Sequence, residues 1–130
     1  MLAEITWRKS IKVETIAELD SVLDEISRKV APTFPQAVTV VRSNDDSLTI
    51  VLGAKEGSIL NFVSSSADPP YFSSVGNPSA KGVFTFYVAE DHHSEAPALH
   101  VINHEDARET VRQFVQMSKG LPKNVAWIMD

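Results

Sequence analysis

Hydrophobic and polar positions recur along this chain with two different periods, and the changes of period divide it into elements. Ile5 and Trp7, then Ile11 and Val13, alternate with polar neighbours. That is a strand period, and it predicts one N-terminal strand bent near Ser10. From Ile16 the period lengthens. Ile16, Leu19, Leu23, Ile26 and Val30 recur every three or four residues, which puts them on one face of a helix. Thr15 and Glu18 form a capping box at its start, and Pro32 and Pro35 end it. Asp24 with Arg28, and Glu25 with Lys29, are acid-first i,i+4 pairs that read as a solvated helix face.

Three β-type runs follow: Ala37 to Arg42, Leu48 to Leu52, and Ile59 to Val63. Asn44-Asp45-Asp46-Ser47 and Lys55-Glu56-Gly57 are turn chemistry, and connections this short join antiparallel neighbours. Ser64 to Gly82, with Pro69, Pro70 and Pro78, reads as a structured loop holding at most a short edge strand, Tyr71 to Val75. Val83 to Val88 alternates most cleanly, with Phe84, Phe86 and Val88 on one face. Ala89 to Pro97 reads as a polar loop and Leu99 to Ile102 as a returning strand. A punctuated unit closes the chain. Asn103 is an N-cap, Glu105 and Asp106 suit the first turn, and Ala107, Val111, Phe114 and Val115 make an apolar stripe. Lys119 fits the last turn, Gly120 a left-handed stop, and Pro122 forbids continuation. Val125 and Trp127 then alternate as a closing strand. The order of elements predicts an α+β fold: a curved antiparallel sheet of about five to seven strands with two helices packed on one face. At 130 residues it is expected to be one domain spanning 1–130.

Composition removes several classes of function. With no cysteine, disulfides and thiolate zinc sites are excluded. No apolar run approaches the ~18 residues of a membrane span, and MLAEITWRKS lacks a signal-peptide core. A cytoplasmic protein without a membrane partner is expected. A net charge of −5 argues against a nucleic-acid partner, which calls for a basic face. Phosphate-cradling, dinucleotide, serine-hydrolase and zinc-protease motifs are all missing. His92, His93, His100 and His104 lie near Glu90, Asp91 and Glu95, but adjacent histidines point apart in an extended chain. His100 and His104 straddle a strand and a helix start, so these four read as loop and surface residues, and no metal or cofactor is expected. A small metal-dependent enzyme using the His92–Glu95 cluster is the alternative reading, and a generic protein-interaction domain is another.

Charge is not spread evenly. Val83 to Thr110 holds six acids and one base, whereas Met1 to Ser64 holds nine acids and seven bases. Helix-dipole compensation accounts for Glu105 and Asp106 but not for Glu90, Asp91 and Glu95, which could face a basic cleft. Tyr71 and Phe72 read equally as exposed anchors or as lids on the core.

The helix DARETVRQFVQMSKG followed by LPKNVAW resembles the C-terminal signature of the DddI-like immunity proteins of bacteria. VETIAELDSVLDEI and YFSSVGNPSAKGVFTFYV are similar to other parts of that family, so the resemblance covers most of the chain. Leu121 stands where members often carry a basic residue before the turn proline. The resemblance implies a small α+β protein encoded beside a polymorphic toxin, notably one with a deaminase fold. It implies a stoichiometric inhibitor, not an enzyme, that forms a heterodimer with its cognate toxin and blocks substrate access. On that implication Glu90, Asp91 and Glu95 are the first partner-binding candidates, Tyr71 and Phe72 candidate anchors, and Asp68 a weaker addition. An exposed edge such as Tyr71 to Val75 could pair between copies, so a homo-oligomer is possible but not indicated.

Overall fold

The computed structural model describes residues 1–31 and 33–130, so the helix stop expected of Pro32 lies outside the described residues. In place of one bent N-terminal strand there are two, β1 (Ala3–Trp7) and β2 (Lys9–Val13), paired antiparallel through a turn at Arg8. Arg8 has φ 62. A non-glycine residue in that region is uncommon, which is why the sequence reads as a bend.

Helix α1 (Ile16–Lys29) is capped by Thr15 as expected, but the return bond of the capping box falls one residue early, on Glu14 rather than on Thr15. The Glu18 N–H donates to Thr15 Oγ1 at 3.1 Å, and the Glu18 carboxylate reaches back to the Glu14 N–H at 3.1 Å. Strands β3 (Gln36–Arg42), β4 (Ser47–Leu52) and β5 (Leu60–Val63) form the expected antiparallel meander. The expected edge strand Tyr71 to Val75 is β6 (Phe72–Val75), but it is not an edge, because β9 (Ala126–Met129) pairs along its outer side. The main path runs β2-β1-β3-β4-β5-β6-β9.

The remaining strands depart from expectation. β7 (Val83–Val88) is a strand as predicted, but the polar stretch after it is a strand too, β8 (His92–Pro97), and the two make a hairpin. Leu99 to Ile102 is not a strand. Ala98–His100 forms a 3-10 turn, and Ile102 makes only an isolated bridge with Ser58. The hairpin meets the main path at a single parallel pair, Gln36 with Tyr87. With this branch the sheet has nine strands.

Helix α2 (His104–Gln116) is capped by Asn103, whose side chain accepts the Asp106 N–H at 2.7 Å. It ends at Gln116, before Lys119, so Lys119 is not in its last turn. Gly120 does adopt a positive φ of 84, within the connection to β9. The cation near the end of α2 comes from elsewhere. Arg42, at the end of β3, is fully buried and donates to the carbonyls of Phe114 at 3.2 Å and Gly120 at 3.0 Å. Asp46 pairs with Arg42, accepting from its Nε at 3.2 Å, and takes the Ser65 N–H at 2.9 Å. Burial alone would raise the Asp46 carboxyl. The hydrogen bonds from Arg42, Asn44 and Ser65, with the charge of Arg42, outweigh it and hold the group below its ordinary value.

Both helices cover the same face of the sheet. Leu19, Leu23 and Ile26 of α1 and Ala107, Val111, Phe114 and Val115 of α2 pack on Ile5, Val38, Val40, Leu48, Ile50, Leu60 and Phe62. Between the helices, Arg108 pairs with Asp24 at 2.8 Å and Arg112 with Asp20 at 3.1 Å. The opposite face carries a smaller core in which Phe84 and Phe86 of the hairpin cover Val51, Ala54 and Ile59. Close backbone approach locks the base of the hairpin. At Gly76 an added Cβ would lie 1.8 Å from the Val101 carbonyl oxygen. Beside it, Ser74 Oγ donates to the His100 carbonyl while His100 Nδ1 contacts the Ser74 carbonyl, each at 2.8 Å.

Candidate partner-binding surface

The tip of the β7–β8 hairpin is organised by one buried amide. Gln36 opens β3 in a run of alternating residues, and its position at the branch turns its side chain towards the tip rather than into a purely apolar layer. Its Oε1 accepts from Trp7 Nε1 at 3.2 Å and from the Glu90 N–H at 3.0 Å. Its Nε2 donates to the carbonyls of Phe34 at 3.1 Å and Glu90 at 3.0 Å. Two acceptor and two donor positions are thus used, the full capacity of an amide side chain. The three-residue turn Ala89 to Asp91 puts Ala89 at φ 51 and Glu90 at φ 75, without glycine. Such conformations cost energy, and the paired bonds to both backbone groups of Glu90 offset it.

Alternation along the hairpin gives it two unlike faces. Phe84 and Phe86 point inward to the second core. Thr85 and Tyr87, with their partners Glu95 and His93, therefore face outward. Tyr87 carries an aromatic stack on that side. The Phe34 ring lies 4.8 Å from it and His93 meets it edge-on at 5.6 Å. Phe34 is 47% exposed. Glu90 is ion-paired with Arg8, which also lies over the Trp7 ring at 4.2 Å. Among the described residues Asp91 and Glu95 have no salt bridge.

The predicted residues therefore divide into two groups. Glu90, Asp91 and Glu95 sit on one hairpin, two in its turn and one on its outer face. Tyr71, Phe72 and Asp68 lie elsewhere. Phe72 is paired with Phe62 on β5, which is itself paired to Leu48 of β4, three strands across the sheet from β3. It packs half-buried against the main core, 6.4 Å from the Phe62 ring. Tyr71 donates its hydroxyl to the Ala67 carbonyl at 2.8 Å, and Asp68 is exposed in the same loop. Of the two readings of these aromatics, Phe72 fits the lid. The histidines also separate. His92 and His93 alternate along β8, His100 is bound to β6, and His104 opens α2. Among the described residues no three His, Asp or Glu side chains gather as a metal would require.

An open groove of about 570 Å³ lies between the two helices and the end of β4, lined by Asp24, Leu52, His104, Glu105, Arg108 and Arg112 among others. Its two arginines are engaged by Asp20, Asp24 and Glu109, and they serve to join α1 to α2. No described helix is long and apolar enough to cross a membrane.

The model of the immunity protein Imm1 family matches residues 8–128. The chain belongs to the Imm1 family. No curated protein matches it. An Imm1 protein is an immunity protein, and the family implies a cognate toxin as its partner. For this Imm1 protein, the residues that build the hairpin tip were only partly visible beforehand. Gln36, Phe34 and Tyr87 were missed. The one available signal was Gln36 itself, an amide at an inward position of an otherwise apolar alternation.

Proposed function

We propose that this Imm1 protein is a non-catalytic, stoichiometric inhibitor that forms a heterodimer with a secreted toxin in the cytoplasm. The match over residues 8–128 carries the reading. The resemblance to DddI-like proteins supports a toxin of the deaminase fold acting on nucleic acid. An enzyme that handles a polyanion carries a cationic groove, and an acidic projection complements it, speeds encounter and excludes substrate. Glu90, Asp91 and Glu95 share one hairpin; Glu90 is paired with Arg8, and Asp91 and Glu95 supply the unpaired negative charge.

The test uses the catalytic domain of the toxin encoded beside this protein, with a single-stranded oligonucleotide as substrate. A 1:1 complex on co-purification and loss of deamination at equimolar inhibitor are expected. A toxin that stays active and unbound in the presence of excess inhibitor overturns the reading. A complex whose toxin hydrolyses nucleic acid but deaminates nothing would keep the inhibitor and remove the deaminase.

A further inference from the structure

We infer that the outer face of the β7–β8 hairpin, anchored by Phe34 and Tyr87, is the surface that seats in the toxin's basic cleft. The inference rests on the immunity reading and adds to it the anchors and the orientation. An acidic loop by itself gives attraction without a grip. The grip here is an aromatic stack in which Phe34 is exposed and Tyr87 half-buried.

Three observations support the assignment. First, the aromatics are not consumed by the core. Phe84 and Phe86 close the second core from the inner face, so Tyr87 is on the other side by alternation, and Phe34 is 47% exposed although it could bury far more. Exposed, preorganised aromatic side chains are the residue type that dominates binding energy at interfaces. Second, the stack is held before any partner arrives. Gln36 fixes the Phe34 carbonyl and both backbone groups of Glu90, and the Tyr87 N–H donates to the Pro35 carbonyl at 2.8 Å. Little ordering entropy remains to be lost on binding. Third, the rim selects the partner. Glu95 shares the outer face, Asp91 lies at the tip, and the two cations beside Phe34 are both engaged, Arg8 by Glu90 and Lys29 by Glu25. A cleft with lysine or arginine around an apolar slot fits this arrangement.

Other exposed apolar groups lack that combination. Ile128 and Met129, 48% and 62% exposed on β9, have one adjacent acid, Asp130, and its carboxylate is taken up by Asn61 and Ser73. The apolar hollow under α1 is lined by Arg8, Lys9, Lys29 and Glu25; with Arg8 paired to Glu90 and Lys29 to Glu25, Lys9 is the unpaired charge on its rim among the described residues, the wrong sign for a cationic groove.

The experiment measures affinity of the catalytically inactivated toxin domain for the full chain and for Phe34→Ala, Tyr87→Ala and Thr85→Arg, with Lys119→Ala, exposed after α2, as the control surface. Thermal unfolding of each variant verifies the fold. Thr85→Arg is included because it adds bulk and positive charge to the outer face without removing packing. Phe34→Ala and Tyr87→Ala are expected to weaken binding at least about 30-fold each, the range of interface hot spots. Thr85→Arg is expected to do the same, and Lys119→Ala to leave affinity unchanged. Glu95→Lys is expected to slow association and flatten its salt dependence. Wild-type binding with unchanged affinity in the folded Phe34, Tyr87 and Thr85 variants overturns this inference and leaves the immunity reading standing. Absence of wild-type binding overturns the immunity reading, and this inference falls with it.

Discussion

The guanidinium of Arg42 lies 4.3 Å from the centre of the Phe114 ring and donates to the carbonyl of the same residue, 72 positions along the chain. The contact joins β3 to the last turn of α2, where a cation is favoured by the helix dipole, and Asp46 balances the charge. Replacing one member of a buried pair strands the other. Arg42→Met is expected to destabilise the protein by about 3–5 kcal/mol in urea denaturation. Combining it with Asp46→Leu should recover part of that loss, because no unpaired charge is then buried. A double variant as unstable as the sum of the singles contradicts the pairing.

The same carboxylate gives an acid dependence. Asp46 is held below its ordinary value of 3.8 in the folded protein. The unfolded chain therefore binds more protons in acid, and stability must rise with pH across that range. The contribution is complete above the unfolded value and is lost as pH falls through the folded one. Unfolding free energies measured from pH 6 down to pH 2 should show this loss in the wild type. The part due to Asp46 should be missing in Asp46→Asn, whose baseline is lower throughout.

Gln36 couples stability to the order of the hairpin tip. Gln36→Leu leaves the Trp7 indole N–H and both backbone groups of Glu90 without their partner. The expected cost is about 1–3 kcal/mol, with faster hydrogen exchange at Glu90 than in β3. Exchange that rises equally everywhere would mean that the clamp is not local.

Gly76 tests the packing at the hairpin base. An alanine Cβ there would overlap a backbone carbonyl oxygen, and backbone cannot rotate away as a side chain can. Gly76→Ala is expected to cost at least about 2–3 kcal/mol, in the range of strained substitutions. Gly82→Ala is a useful contrast. Nothing lies within 4 Å of its Cβ position, so only its φ of +92 is strained, and about 1 kcal/mol is expected. Thermal unfolding of both ranks them.

The two faces of β7 should separate in a stability measurement. Phe84→Ala removes a side chain that is 2% exposed and is expected to cost about 3–5 kcal/mol. Thr85→Ala, on the outer face, should stay within about 0.5 kcal/mol. Equal losses would contradict the assigned orientation of the hairpin.

Much of the fold was legible because its signals are local. Thr15 with Glu18, and Asn103 with its acidic first turn, fixed both helix starts, and the meander from Gln36 to Val63 followed from alternation and turn residues. What was missed depends on contacts that local reading does not include. The turns at Arg8 and at Ala89-Glu90 use positive φ without glycine. β8 reads as polar loop because one of its faces meets solvent. The end of α2 is set by an arginine far away in sequence, not by Lys119 and Gly120. The acids of the candidate surface were found from charge counting alone, whereas Phe34 stands alone between prolines and acquires a neighbour only when β7 folds against it.

The branch at Gln36 also bears on how such a protein can change over generations. The hairpin joins the main path through one paired position, and its outward side chains meet one another and Phe34 rather than either core. Residues 85, 87, 91, 93 and 95 are therefore open to drift that leaves the helices and the meander intact. On the proposed binding face, a change in the toxin's cleft would call for a few substitutions on a single ribbon and leave the folded scaffold in place.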